Sequence, residues 1–179
     1  MADETPAADA ADEAAVDPAP APEELHGAPV SYSRGQKVLH VAREQLTDTV
    51  AKLRDDSYLQ CLDVTAVDYL GYPSPRELPE SITPERFELV VTLISHQLAE
   101  RIRLRVQVPE SDTTVDTLFT LHPGTEAMER EVFDMFGIHF TGHPDLTRVL
   151  MPEDWEGHPL RKDYAVGRIP VQFKGAPSR

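Results

Sequence analysis

The sequence predicts an α+β fold: a two-layer domain with helices on one face of a small mixed or antiparallel sheet, followed by an extended irregular C-terminal arm. Three observations carry this. RFELVVTLI and RIRLRVQV alternate apolar and polar residues with period two and are joined by the short SHQLAE, the pattern of an antiparallel hairpin with one buried face. AREQLTDTVAKLRDD and TEAMEREVFDMFG instead place apolar residues at helical spacing. From Gly137 onward the periodicity stops, yet large apolar residues continue.

Composition bounds the function. A chain of 179 residues suits one ordinary domain plus some unstructured length. Hydrophobic residues make up 40% and aromatics 7%, enough for a modest core. A net charge of −14 is the opposite of the basic field a free-standing nucleic-acid binder needs. The longest apolar runs fall far short of the roughly 20 residues of a membrane span. The N-terminus has neither the basic start nor the apolar core of a secretory signal. The single cysteine, Cys61, excludes an internal disulfide framework. It also excludes an iron–sulfur cluster held wholly by this chain, which would want about four thiolates. A reducing cytoplasm is the default reading.

In chain order, residues 1–29 read as a disordered acidic tail, 30–138 as the α+β core domain and 139–179 as the arm. Residues 1–24 hold eight acids, no bases, nine alanines and four prolines, too little apolar surface to offset chain entropy. KVLHV fits a short edge strand. The next segment carries Leu46, Val50 and Leu53 on one helical stripe. YLQCLDVTAVDYL reads as a buried strand, with Cys61 as a small core residue rather than a nucleophile. GYPSPRELPESITPER, with four prolines, is a loop. In the hairpin, Ile102, Leu104, Val106 and Val108 alternate with Arg101, Arg103, Arg105 and Gln107. That arginine row is either a solvated face or one turned to an acidic partner. In the second helix, Thr125 fits an N-cap and Glu126 the positive helix end. Met128, Val132, Met135 and Phe136 form its stripe. Arg130 is spaced to pair with Glu126 or Asp134, and Gly137 ends the helix, with a positive φ in view.

Chemistry is sparse. His139 and His143, with Asp134, Asp145, His158 and Asp163 nearby, are ligand types for zinc or iron. Gly142 and Pro144 disfavour a helix around His143, so the spacing does not put the two histidines on one face; histidines capping turns is the reading. No Gly-x-Ser-x-Gly elbow and no Gly-rich phosphate loop occurs. No catalytic, cofactor-binding or metal-ligating residue is therefore assigned. The arm differs in charge from the rest: residues 1–142 sum to −15 and residues 143–179 to +1. An irregular, neutral-to-basic segment studded with aromatics is what a chain gripping a neighbour looks like. Its expected partner-binding residues are Arg148, Trp155, His158, Leu160, Arg161, Lys162, Asp163 and Tyr164.

The run EREVFDMFGIHFTGHPDLTRVLMPEDWEGHPLRKDY resembles the pattern of the C-type subunit of respiratory complex I, the 30 kDa subunit family of NADH-quinone oxidoreductase. The matching positions are Glu129, Arg130, Glu131, Asp134 to Ile138, including Gly137, then His143, Pro144, Asp145, Leu146, Arg148, Leu150 and Gly157 to Asp163. DVTAVDY, from Asp63 to Tyr69, also looks like the family, and the resemblance spans roughly residues 36–173. Thr147, where many members carry a second arginine, and the Trp155 loop depart from the pattern. The resemblance implies a non-catalytic core scaffold subunit of the hydrophilic arm, with no flavin, cluster or quinone of its own. FMN, iron–sulfur clusters and quinone belong to the holoenzyme, which couples electron transfer from NADH to proton translocation. It implies a D-like quinone-site subunit as main partner, with B- and I-type subunits, and a peripheral place on the cytoplasmic side of the membrane. An equivalent scaffold of a membrane-bound hydrogenase or dehydrogenase is the alternative it leaves open.

Overall fold

A computed structural model of the protein describes residues 23–165. Residues 1–22, most of the expected acidic tail, and residues 166–179, the end of the expected arm, lie outside the described residues.

The alternating segments form β5 (Phe87–Ser95) and β6 (Glu100–Val108). They pair antiparallel in one continuous register from Phe87↔Val108 to Ser95↔Glu100. Period two puts Phe87, Leu89, Val91, Leu93, Ile102, Leu104, Val106 and Val108 on a single face, and all eight are at 0% exposure. The helices α1 (Leu46–Asp55) and α2 (Glu126–Phe136) cover that face. Leu46, Val50 and Leu53 of α1, and Val132, Met135 and Phe136 of α2, join the same apolar cluster. This is the two-layer α+β arrangement the periodicities predict.

The sheet is mixed and has six strands. In order across it lie β1 (Glu24–Leu25), β2 (Ala28–Ser33), β3 (Gln36–Val41), β6, β5 and β4 (Gln60–Asp68). All neighbours are antiparallel except β3 and β6, which run parallel from Lys37↔Ile102 to Val41↔Val106. KVLHV is therefore an interior strand and not an edge. Its Val38, Leu39, His40 and Val41 are buried because both neighbours and both faces cover them. The ordered sheet also begins at Glu24 instead of near Val30, since β1 and β2 form a hairpin over residues placed in the tail by composition. β4 is an outer strand, bounded by β5 alone, so it is only half buried. A second small sheet pairs β7 (Thr114–Asp116) with β8 (His139–Thr141) in parallel. The core thus runs to Thr141, past the expected boundary at Ile138.

Gly137 caps α2 in the left-handed conformation, at φ 72°, as its residue type suggests. Thr125 does not act as a side-chain N-cap. A short 3₁₀ turn over Pro123–Thr125 leads into the helix, and the Thr125 hydroxyl donates instead to Glu129 Oε1 at 2.8 Å.

Candidate functional site: a docked arm with exposed aliphatic side chains

The arm contains no helix or strand after β8 as far as Ala165. It is nevertheless held in place, and two buried carboxylates do the holding.

Asp134 sits on α2 with its side chain at 0% exposure. Its Oδ2 accepts the backbone N–H groups of Val149, Leu150 and Met151 at 3.1, 2.8 and 2.8 Å. Its Oδ1 accepts Arg148 Nη1 at 2.5 Å, and the other arm of that guanidinium donates to the Gly157 carbonyl at 3.0 Å. Burial would raise the Asp134 carboxyl, but the hydrogen bonds from Met151, Arg148, Leu150 and Val149 outweigh it and hold the group below the usual carboxylate range. One side chain thus replaces the ladder that an irregular segment lacks.

Asp68, at the end of β4, is the second anchor. It accepts a bidentate pair from Arg86 at 3.1 and 3.0 Å, the Leu70 N–H at 2.9 Å and, from the arm, the Lys162 N–H at 2.9 Å. Arg86 Nη2 also meets Asp163 Oδ1 at 2.9 Å. Burial opposes ionisation of Asp68, and the bonds from Arg86, Lys162 and Leu70 again win, so its carboxyl is lowered.

Between the anchors, the arm closes over the end of α2. The Leu160 N–H donates to the Met135 carbonyl at 3.1 Å, and Arg161 Nε donates to the Phe136 carbonyl at 2.5 Å. These are carbonyls that a helix C-terminus leaves without partners. The Arg161 guanidinium lies 5.1 Å over the Phe87 ring. His158 Nδ1 bonds the Asp134 carbonyl at 3.0 Å, and burial lowers its pKa. Gly137 serves twice here. It takes the left-handed cap, and a Cβ on it would lie 2.5 Å from His158 Nε2 and 2.6 Å from Arg161 Nη2.

A third buried carboxylate, Glu129, braces α2 from the other side. It accepts the Thr117 hydroxyl at 2.5 Å, the Leu118 N–H at 2.8 Å and the Thr125 hydroxyl. Glu131 is exposed. Arg130 reaches Glu126 only at 3.7 Å and does not pair with Asp134. It hydrogen-bonds the Thr147 carbonyl and hydroxyl and the Arg148 carbonyl at 3.1, 2.8 and 3.3 Å, adding a further tie to the arm.

His143 holds a turn. His143 Nε2 bonds the Glu126 carbonyl at 3.1 Å, and its Nδ1 accepts the Asp145 N–H at 3.1 Å, with Pro144 between them. His139 packs edge-on against Phe133. Among the described residues, no group of three or more His, Cys, Asp or Glu is placed to hold a metal ion. Burial pushes the Cys61 thiol up to about 11, which keeps it protonated and poorly nucleophilic at neutral pH.

Of the residues expected at a partner, Arg148, His158, Arg161 and Asp163 are turned onto the chain's own domain. Trp155 and Tyr164 are half-buried, and Tyr164 packs over Gly157, where a Cβ would lie 2.8 Å from its ring. Lys162 is exposed. Among the outward-facing residues are three large aliphatics: Val149 is 43% exposed, Leu150 60% and Leu160 49%. Val149 and Leu150 follow directly on the Asp134 clasp, and Leu160 precedes Arg161. Glu129 and Asp134 stand among the family-pattern positions and Asp68 lies in DVTAVDY, but their burial escapes the sequence because acids on a helix or at a strand end are ordinarily solvated. A signal existed for Glu129, which lies three residues before Val132 and seven before Phe136, on the buried stripe itself.

A family model described as "Respiratory-chain NADH dehydrogenase, 30 Kd subunit" matches residues 39–169. The chain is 43% identical over 150 residues to the C subunit of NADH-quinone oxidoreductase from Saccharopolyspora erythraea, covering 82% of this chain and 56% of that protein. It is 41% identical over 150 residues to the Salinispora arenicola protein of the same name, covering 82% and 57%. To that of Mycobacterium tuberculosis it is 43% identical over 146 residues, covering 80% and 58%. The chain thus spans little more than half the length of the curated relatives it matches. Among solved structures, the trypsin-resistant fragment (1-134) of Nqo5 superposes with a TM-score of 0.60 at 35% identity, over 67% of this chain and 90% of that one. A chain of the membrane-bound sulfane sulfur reductase, an archaeal respiratory membrane complex, superposes with a TM-score of 0.64 over 85% and 89%; at 22% identity this is a likeness of fold alone.

Proposed function

From the premise that the chain belongs to the respiratory-chain NADH dehydrogenase 30 kDa subunit family, we propose that it is a non-catalytic scaffold in the hydrophilic arm of an NADH-quinone oxidoreductase. The observation that supports this reading is the exposure of Val149, Leu150 and Leu160 on the pinned arm. A segment without regular structure is pinned by Asp134 and Asp68, and it turns three large aliphatic side chains to water. Leaving such surface exposed forgoes about 25 cal/mol per Å², and burying it on a second protein recovers that. The partner in this reading is a D-like subunit at the quinone site, with B- and I-type subunits as further neighbours. Electron transfer then runs through FMN, iron–sulfur clusters and quinone held by other subunits. The chain's own contribution is to fix their relative positions.

Membrane attachment in this reading is peripheral, on the cytoplasmic face, through the complex. No helix among the described residues is long and apolar enough to cross a membrane.

The test uses the tagged full chain, recovered gently from its native membranes with its partners. Leu150→Asp combined with Leu160→Asp should abolish co-purification of the D-like subunit. The amides of 149–151 should keep their protection, because the Asp134 clasp is untouched. Quinone reduction should fall in proportion to lost assembly. A variant that assembles to normal levels yet loses turnover per assembled complex would sink the scaffold reading.

A further inference from the structure

The face of the sheet opposite the helices is not a plain solvated surface. Between β2 and the loop from Tyr69 to Arg86 runs a groove of about 1050 Å³. Val38, Val67 and Val90 contribute apolar floor, Tyr32 stands on one side, and Tyr72 and Arg76 on the other. Tyr32 is 60% exposed and Tyr72 57%. The arginine row enters here, since Arg103 and Arg105 both line the groove. Arg105 is matched internally, with Nε 2.7 Å from the buried Glu88. Arg103 has only an amide partner, Gln36 at 3.3 Å. Arg76 has a side chain 9% exposed and its guanidinium 4.1 Å over the Tyr69 ring. Its Nη1 stands 3.7 Å from Glu88 and makes no hydrogen bond. A buried guanidinium N–H without an acceptor is costly to leave so. Glu77 and Glu88 also line the groove, so its three arginines leave one positive charge in excess. Exposed tyrosines beside arginines with unfilled donors are the composition of a binding surface for a carboxylate-bearing chain.

We propose that this groove is covered by the chain's own acidic N-terminal segment. Residues 1–22 contain Asp3, Glu4, Asp9, Asp12, Glu13 and Asp17 and no base. The segment joins the fold at Glu23, whose carboxylate already accepts the Tyr32 hydroxyl at 2.8 Å, on the rim of the groove. Glu23 lies opposite Val30, on the outer side of β2; from there to β5, whose Glu88 stands 3.7 Å from Arg76, is four strand spacings, roughly 19 Å. The six steps from Glu23 back to Asp17 span at most about 20 Å. Asp17 therefore reaches Arg76 only when fully extended, and Glu13 and Asp12 reach there with slack. A tethered ligand of this length acts at millimolar effective concentration, so modest charge attraction suffices to populate the covered state. Docking buries Tyr72, Val67 and Tyr32 against an alanine- and proline-rich segment and gives Arg76 Nη1 an acceptor.

The test is made on the full 179-residue chain. Ala15→Cys in a Cys61→Ala background carries a nitroxide, and amide resonances report its proximity. The amides of Val67, Tyr72, Val90 and Arg103 should broaden several-fold more than those of α1, which lies on the opposite face. The difference should vanish at about 1 M salt, where the Debye length falls to about 3 Å. It should also vanish when the six acids are changed to Asn and Gln, a variant that leaves residues 23–165 untouched, and shrink in Arg103→Gln. Equal broadening on the two faces overturns the proposal. So does broadening of the groove that survives neutralisation of the six acids.

Discussion

The hairpin β5–β6 and the arm beyond Thr141 hold their shape by opposite means. The hairpin is specified by a diffuse pattern: eight alternating side chains at 0% exposure, with backbone bonds running in unbroken register. The arm is specified at points, because Asp134, Asp68 and the last carbonyls of α2 each catch one or more of its backbone or guanidinium groups. A distributed interface degrades in proportion to what is removed. A point-anchored one is lost when one anchor goes. Point anchoring therefore lets a segment without regular structure hold Val149, Leu150 and Leu160 at the surface.

The largest effect expected from a single change comes from the distributed side. Phe87→Ala removes a fully buried ring from the core at the start of β5 and from beneath Arg161. It should lower global stability by roughly 3–5 kcal/mol, read from denaturant unfolding of the full chain. A loss under about 1 kcal/mol would mean the core re-collapses around the site. Asp134→Ala should cost less globally while doing more locally. Breaking a buried ion pair costs roughly 3–5 kcal/mol when the orphaned charge must stay buried. Here the arm can leave and carry Arg148 and three amides back into water, which caps the loss at the free energy of docking. Hydrogen exchange should show residues 149–151 unprotected while β5 and β6 stay protected. Uniform loss of protection in both regions would erase the distinction.

Gly137→Ala should come next. The left-handed backbone costs a non-glycine residue about 1–2 kcal/mol. The new methyl also meets His158 and Arg161, so the arm near 158–161 should open while its Asp134 clasp persists. The smallest effect is that of mild acid. His158 is lowered by burial, so the folded state resists its protonation. Stability from this group is present above its ordinary value of about 6.5 and falls away as pH drops toward the folded pKa. Asp134 and Asp68 are likewise lowered, and their contribution is lost only as pH falls through their folded values, below about 3.9. Exchange in the arm should therefore begin to rise below about pH 6.5, in the same window in which the buried His40 of β3, also lowered by burial, weakens the sheet. An arm indifferent to pH down to about 4 would show that His158 contributes nothing to docking.

Sequence alone determined what depends on neighbours along the chain. The hairpin followed from period two, both helices from their apolar stripes, and the αL end of α2 from Gly137, because each of these is set by a few adjacent residues and the solvent. The family resemblance was legible for the same reason, as a run of motif residues. Tertiary structure decided what depends on distant partners. The segment 36–41 looked like an edge because nothing near it in sequence pairs with its second side; its partner, β6, begins at Glu100. Residue type alone would put Asp68, Glu129 and Asp134 at the surface, because carboxylates are ordinarily hydrated. Their burial is stable only where Arg86 and Lys162, Thr117 and Leu118, or Arg148 and Met151 fold back upon them. The arm's arginines suggested a partner for a related reason. A guanidinium declares that it wants an acceptor, but only the assembled fold could put the Phe136 carbonyl and the Asp134 carboxylate within its reach.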